Sequence, residues 1–250
     1  MKLALLSDIH SNIQAFDACL AHARAQGAEQ FALLGDFVGY GGDPVAVLQQ
    51  VQQLAEQGAL VVKGNHDELA VTPPHEVKTI GDSTAGWTHA QLSTSQLRFL
   101  DRLPLTVQHA SMLLVHASAN RPERWHYVRD ELAAGSSLDA AAAWPGVRHV
   151  FGGHVHQQSL YYRGTGSDLM QFTPTAGIAV PLPRHRHWLA TIGSVGQPRD
   201  GNPQAMYALF DTVKLQLTFH RVSYDHQAAA ASIRRAGLPA IFSDRLELGR

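Results

Sequence analysis

The sequence predicts a mixed α/β fold built on a parallel sheet. Two observations predict it. Over the first 67 residues, short apolar runs alternate with amphipathic helical stretches, and each run ends in a turn signal. In the second half, strand patterns follow one another with little helix between them, as antiparallel hairpins do.

The elements follow in order. Lys2 to Leu6 is apolar and stops at Ser7-Asp8, which reads as a buried strand. Ser11 or Asn12 can cap a helix running toward Gly27, with Ile13, Phe16 and Leu20 at helical spacing. Phe31 to Leu34 is the second strand, ended by Gly35-Asp36, and Gly39 to Pro44 is a loop. Val45 to Gln57 is an amphipathic helix that turns Val47, Leu48, Val51 and Leu54 inward. Leu60 to Lys63 is a third strand, ended by Gly64-Asn65-His66-Asp67. Strand, helix, strand, helix, strand implies right-handed parallel crossovers.

Val71 to Gly81, with Pro73 and Pro74, reads as loop, and Asp82 to Leu100 as one helix. Leu105 to His109 and Met112 to His116 read as strands joined by Ala110-Ser111. Asp130 to Ala143 is an Ala-rich helix that Gly135 could interrupt, and Val147 to Phe151 is a strand ended by Gly152-Gly153-His154-Val155-His156. Gln158 to Arg163, Leu169 to Thr173, Met206 to Asp211 and Lys214 to Val222 read as hairpin strands. His226 to Gly249 is helical with a break at Gly237-Leu238-Pro239. No repeat or linker interrupts the chain, so one domain, 1–250, is expected.

Composition narrows the function. Apolar residues make up 45% and the formal net charge is -1, which argues against disorder and gives no global drive toward nucleic acid or an anionic membrane. One cysteine, Cys19, excludes an intrachain disulfide. The start of the chain does not read as a signal peptide, and no run approaches a spanning helix. A cytoplasmic protein is expected. The 15 histidines, against 20 Lys plus Arg, point to metal binding or to a charge that swings between pH 5 and 7.

The polar residues fall where chemistry is expected. In open α/β sheets ligands bind beyond the carboxyl ends of strands. Five inferred strands run into metal-capable residues there: Asp8-Ile9-His10, Gly35-Asp36, Gly64-Asn65-His66-Asp67, Val115-His116 and His154-Val155-His156. Parallel neighbours would gather these ends at one edge of the sheet. Carboxylate, amide oxygen and imidazole without thiolate suit Mn, Fe, Zn or Ni. Seven candidate ligands, Asp8, His10, Asp36, Asn65, His116, His154 and His156, are too many for one tetrahedral ion and suit two that share a carboxylate. Each element alone is an ordinary turn; five in order are not.

The series D-x-H, G-D, G-N-H-[DE], H and G-H-x-H resembles the calcineurin-like metallophosphoesterase superfamily. Ser7 to Asn12, Gly35 to Gly41 and Gly193 to Gly201 are similar to a bacterial branch of small phosphodiesterases, relatives of diadenosine tetraphosphatase and protein phosphatases. The resemblance implies a four-layer α/β/β/α sandwich of two mixed sheets flanked by helices. It implies that Asp8, His10, Asp36 and His156 hold one divalent ion, and that Asp36, Asn65, His116 and His154 hold another. Manganese is the favoured metal. It also implies a hydroxide bridging the ions as nucleophile and His66 at the leaving oxygen, as acid or stabiliser.

The resemblance has one departure. Where protein phosphatases continue as G-D-x-x-D-R-G, this chain has Gly39 and Tyr40 in place of the second Asp and the Arg. A dianionic monoester gains most from an arginine clamp. The expectation is therefore a phosphodiesterase acting on a small phosphate ester such as a nucleotide. A phosphomonoesterase or dinucleoside polyphosphate hydrolase is the alternative, and a non-catalytic metal-binding scaffold a further one. Arg199, Arg184 and Arg186 are candidate substrate contacts, with Tyr40 and Trp125 as stacking surfaces for a base; His126 is expected not to ligate.

Overall fold

The computed structural model describes residues 1–164 and 168–250. The first strands and helices are β1 (Lys2–Leu6), α1 (Ile13–Ala25), β2 (Gln30–Leu33), α2 (Pro44–Glu56), β3 (Leu60–Val61) and α3 (Asn65–Val71). Then come α4 (Ala85–Gln91), α5 (Thr94–Arg102), β4 (Thr106–His109), β5 (Met112–Val115), α6 (Glu131–Ala141), β6 (His149–Gly152), β7 (Gln158–Arg163) and β8 (Leu169–Phe172). The chain closes with β9 (Ala179–Pro181), β10 (Trp188–Ile192), β11 (Ala205–Asp211), β12 (Gln216–Val222), α7 (His226–Arg235) and α8 (Ala240–Leu248).

The strands form two six-stranded mixed sheets, ordered β3-β2-β1-β11-β12-β9 and β4-β5-β6-β10-β7-β8. In the first, β1, β2 and β3 are parallel and the β11, β12 and β9 pairings are antiparallel. In the second, β5, β6 and β10 are parallel, with antiparallel partners outside them.

Strand alternation builds the layers. Ala4 and Leu6 of β1 face outward onto Phe16 and Leu20 of α1 and Val47 and Val51 of α2. Leu3 and Leu5 face the other way, into a core shared with Leu114, Phe151 and Ile192 of the second sheet. Leu113, Val150 and Leu189 then turn outward onto Ala134 and Leu138 of α6. Three stacked cores give helix, sheet, sheet, helix: the four-layer sandwich. Each buried Leu or Phe adds about 1.5–3 kcal/mol relative to exposure. A fourth cluster joins Ile233 of α7 and Phe242 and Leu246 of α8 to Tyr40.

The helix starts follow their caps. Asn12, not Ser11, caps α1 by accepting the Ala15 N–H at 3.0 Å. Asp130 caps α6 and Asp225 caps α7 in the same way. Gly135 lies inside α6 without breaking it, and α7 and α8 are separated at 236–239. The single helix expected over Asp82 to Leu100 is instead a 3-10 turn, α4 and α5. Leu92 is extended, and Ser93 opens α5 with a capping box in which Gln96 N–H meets Ser93 Oγ and Ser93 N–H meets Gln96 Oε1.

Candidate metal centre

The five motifs do leave the carboxyl ends of strands, but of two sheets rather than one. Asp8 and His10 follow β1, Asp36 follows β2 and Asn65 follows β3 in the first sheet. His116 follows β5 and His154 and His156 follow β6 in the second. The sandwich brings both sets to one edge.

The backbone there is unusual. Asp8, His10, Asp36, His154 and His156 all have positive φ, between 49° and 67°. Asp and His tolerate this region better than most residues, yet such conformations still cost about 1–3 kcal/mol each and persist where the surroundings fix them. Cross-loop bonds fix them here. Asp8 N–H donates to Gly35 O at 3.0 Å, and His10 N–H to Asp36 O at 2.9 Å. His154 N–H donates to Asp8 Oδ2 at 2.9 Å.

The side chains gather in two adjoining groups. Asp8, His10 and His156 form one, and Asp36, His116 and His154 the other. His156 Nε2 lies 3.3 Å from Asp8 Oδ1. His116 Nε2 lies 3.2 Å from His154 Nδ1 and 3.2 Å from Asn65 Oδ1. Asp36 Oδ2 stands between the groups, 3.3 Å from His116 Nε2 and 3.7 Å from His10 Nε2.

The donor set fits cations. His10 Nδ1 faces Val38 O, His156 Nδ1 faces Gln197 O and His116 Nδ1 faces Leu34 O. A carbonyl only accepts, so these Nδ1 atoms each carry a proton, which leaves Nε2 of each ring facing the cluster. His10 Nε2 and His156 Nε2 are 3.1 Å apart, both facing the cluster, where one cation would accept both nitrogens. The buried polar residues include Asp8, Asp36 and Asp67 and, among the described residues, no lysine or arginine. The charge must be balanced by something else.

Electrostatics agree. Burial opposes ionisation of Asp36, but His116 and His66 overcome it and hold the carboxyl well below the usual range. Burial likewise opposes ionisation of Asp8, and His156 reverses the effect. Burial disfavours the charged form of His116 too, yet Asp36 pushes it up to about 9, so a proton occupies His116 where no metal does. Burial and the His116 charge take His154 down to about 3.

His66 sits beside this cluster. Its backbone N–H donates to Asp36 Oδ1 at 2.8 Å, and its ring lies 5.0 Å from His10 and 4.4 Å from Tyr40. It also forms a close group with His10 and Asp36. Gly39 packs on the ring: a Cβ there would lie 2.8 Å from His66 Nδ1. Burial lowers the His66 pKa against the pull of Asp36, with His156, His116 and Arg199 adding to the lowering.

The proposed substrate contacts divide. Arg199 stands at the rim, its guanidinium 5.7 Å from the Tyr40 ring and its NH2 donating to Gln197 Oε1 at 2.8 Å. Arg184 and Arg186 are misplaced by the sequence reading. They precede Trp188 at the start of β10, which pairs with His149 at the start of β6, so they lie at the opposite end of the sheet from His154. Arg186 packs on Tyr162 there. Tyr40 as a base-stacking surface is also corrected. Its ring is buried against His10, His66 and Phe242, at 4.5, 4.4 and 4.9 Å. Trp125 does reach the rim, 5.8 Å from His116, with its Nε1–H on Glu68 Oε2 at 3.0 Å, while His126 is exposed.

Three residues escaped sequence reasoning. Asp67, buried, accepts N–H groups of Asp36, Phe37, Val38 and Gly64 and ties the β2 and β3 loops together. Its signal was present in the Gly-Asn-His-Asp run. Burial and the Asp36 charge push its carboxyl up to about 7, while the N–H donors from Gly64 and Phe37 oppose that shift. Tyr127 stacks on His154 at 4.0 Å, and Arg245 lies on α8, the helix whose Phe242 packs on Tyr40. Neither carries a local motif.

A buried His/Asp cluster at the carboxyl edge of a four-layer sandwich defines a metallophosphoesterase. Residues 1–215 match the family model of the calcineurin-like phosphoesterase superfamily domain, and the chain belongs to that superfamily. It is 30% identical to an uncharacterized protein of Methanocaldococcus jannaschii, over 99% of this chain and 98% of that one. The crystal structure of a metallophosphoesterase from Sphaerobacter thermophilus matches with a TM-score of 0.86 and 30% identity, covering 100% of this chain and 99% of that one. The crystal structure of a hypothetical protein from Pyrococcus horikoshii shares the fold, with a TM-score of 0.79 and 18% identity over 100% and 98% of the two chains. The family marks a divalent-metal-dependent hydrolase of phosphate esters. Among the described residues no helix is long and apolar enough to cross a membrane.

Proposed function

We propose that the chain is a phosphodiesterase that uses two divalent transition-metal ions, manganese first among them, in one domain spanning 1–250. The observation that carries this is Asp36 Oδ2, which faces His116 Nε2 of one group and His10 Nε2 of the other. One carboxylate oxygen between two histidine nitrogens suits a shared ligand. The histidine and carboxylate donors without thiolate suit manganese. Two bound ions would supply an activated water and neutralise charge on the phosphoryl oxygens. Asp8, His10 and His156 hold one ion in this proposal, and Asn65, His116 and His154 the other.

His66 lies next to Asp36 and outside both of these sets. Its lowered pKa favours a neutral ring that donates an N–H to the departing oxygen. Gly39 and Tyr40 stand where a phosphate-clamping branch has Asp and Arg, which favours a diester, with one charge less. A second reading, a phosphomonoesterase or dinucleoside polyphosphate hydrolase, is favoured by Arg199 at the rim. A cytoplasmic setting suits Cys19, a buried free thiol.

The test is hydrolysis of bis-p-nitrophenyl phosphate and of p-nitrophenyl phosphate with Mn²⁺, with and without chelator. The diester should be cleaved faster, and chelator should abolish both rates. Preference for the monoester overturns the diesterase reading. No turnover with Mn²⁺, Fe²⁺, Zn²⁺ or Ni²⁺ overturns the enzyme reading.

A further inference from the structure

Arg199 and α8, the helix that carries Arg245, both pack on Tyr40 beside the candidate centre. Phe242 of α8 packs on Tyr40 with ring centroids 4.9 Å apart. Arg245 is three residues further along α8, so it shares that helix face. The end of α8 is tied to the loop after Arg199, because Gly201 N–H donates to Gly249 O at 2.8 Å. Arg199 in turn leans on the Tyr40 ring and is held by Gln197, whose backbone carbonyl accepts His156 Nδ1 at 2.6 Å.

Arg245 is half-buried and within electrostatic reach of both Arg199 and Tyr40. Burial and the Arg199 charge lower its hold on its proton. Among the described residues, carboxylates pair with Arg163, Arg221 and Arg234, and none lies within salt-bridge distance of Arg199 or Arg245. Two like charges brought together without a counter-ion are resolved by an anion. Tyr40 lies against His10 and His66 at about 4.5 Å, so the pair stands one aromatic ring away from the candidate ligands.

We propose that Arg199 and Arg245 form a seat for a second anionic group of the substrate, beside the scissile phosphate rather than on it. The substrate class is then a phosphoester that carries a further phosphate. This rests on the phosphoesterase reading of the His/Asp cluster. It also gives the C-terminal helix a part in selecting the substrate.

A matched pair of diesters tests it: thymidine 5′-(p-nitrophenyl phosphate), with and without a 3′-phosphate, on the Mn²⁺-loaded protein. The 3′-phosphorylated compound should have the higher kcat/KM, through a lower KM. Arg245→Gln and Arg199→Gln should each cut the ratio of the two kcat/KM values about tenfold, and Arg245→Lys should restore part of it. A structural role for Arg245 would lower both rates together and leave the ratio unchanged, which overturns the proposal. So does a wild-type ratio of one. If neither diester is cleaved, the phosphodiesterase reading fails, and calorimetry with tripolyphosphate on the same metal-loaded protein decides the seat. Weaker binding to Arg245→Gln than to wild type supports it, and equal binding overturns it.

Discussion

The Asp67 carboxylate accepts the backbone N–H of Asp36 at 2.9 Å. The same oxygen takes the Gly64 N–H at 2.8 Å, and the other takes the Phe37 N–H at 2.9 Å. One buried side chain thus sets the spacing of the loops that present Asp36 and Asn65. Asp36, which faces both groups, thus has its own backbone pinned from behind.

Replacing that carboxylate should loosen the centre without touching a candidate ligand. Asp67→Asn turns an amide NH2 toward backbone donors, or leaves donors unpaired. Urea unfolding should show a loss of about 2–3 kcal/mol. Mn²⁺ affinity should fall about 10–100-fold, as when an outer-sphere support is removed. Unchanged unfolding and metal affinity would refute this part for Asp67.

Metal content should separate shared from unshared ligands. His156→Ala should lower bound manganese from two ions to one, and Asp36→Asn should weaken both, as read by elemental analysis after gel filtration. A metal that binds the folded chain in preference to the unfolded one stabilises it, so Mn²⁺ should raise Tm and chelator lower it. If Asp36→Asn retained both ions, Asp36 would not be the shared ligand.

Gly39 should be intolerant of a side chain. Its φ is +87°, and a Cβ would lie 2.8 Å from His66 Nδ1. Gly39→Ala should cost about 1–2 kcal/mol of stability through its backbone alone. It should also displace His66. Turnover should fall by at least tenfold with metal content intact, and His66→Ala should lower it by about 10²–10⁴. Loss of metal in either variant would make His66 a ligand instead.

Away from the centre, His220 should make the fold acid-sensitive. It stacks on Tyr207 at 4.8 Å, meets His22 at 5.2 Å, and its Nε2 is buried without a hydrogen bond. Burial and His22 take its pKa down to about 4. An unfolded histidine titrates near about 6.5. Between these values the unfolded chain binds the proton and the folded chain does not, so stability falls as pH falls through that window. His220→Phe should flatten the drop in Tm between pH 7 and 5. An equal drop in both proteins would exclude His220 as its source.

Legibility in the sequence followed the range of the interaction. Strands ended by Ser7-Asp8 or Gly35-Asp36 announce themselves locally, and so do the helix caps. Short apolar strands such as Trp188–Ile192, central in the second sheet, lack the alternation that would mark them. The direction of β10 is also invisible locally, which is why Arg184 and Arg186 read as site residues although they sit at its far end. Arg245 is the opposite case. Nothing near it in sequence marks it, and only the packing of Phe242 on Tyr40 brings its helix against the candidate centre.

The division of the candidate ligands between two sheets has a mechanical consequence. His10 and His156 are 146 residues apart in the chain, on opposite halves of the sandwich. An ion held by both would act as a clasp across the seam, closing a loop long enough to remove several kcal/mol, about 4–5, of chain entropy from the unfolded state if it stayed bound there. Any sliding of one sheet over the other would pull such a clasp open, so metal affinity would report how well the two halves of the protein are docked.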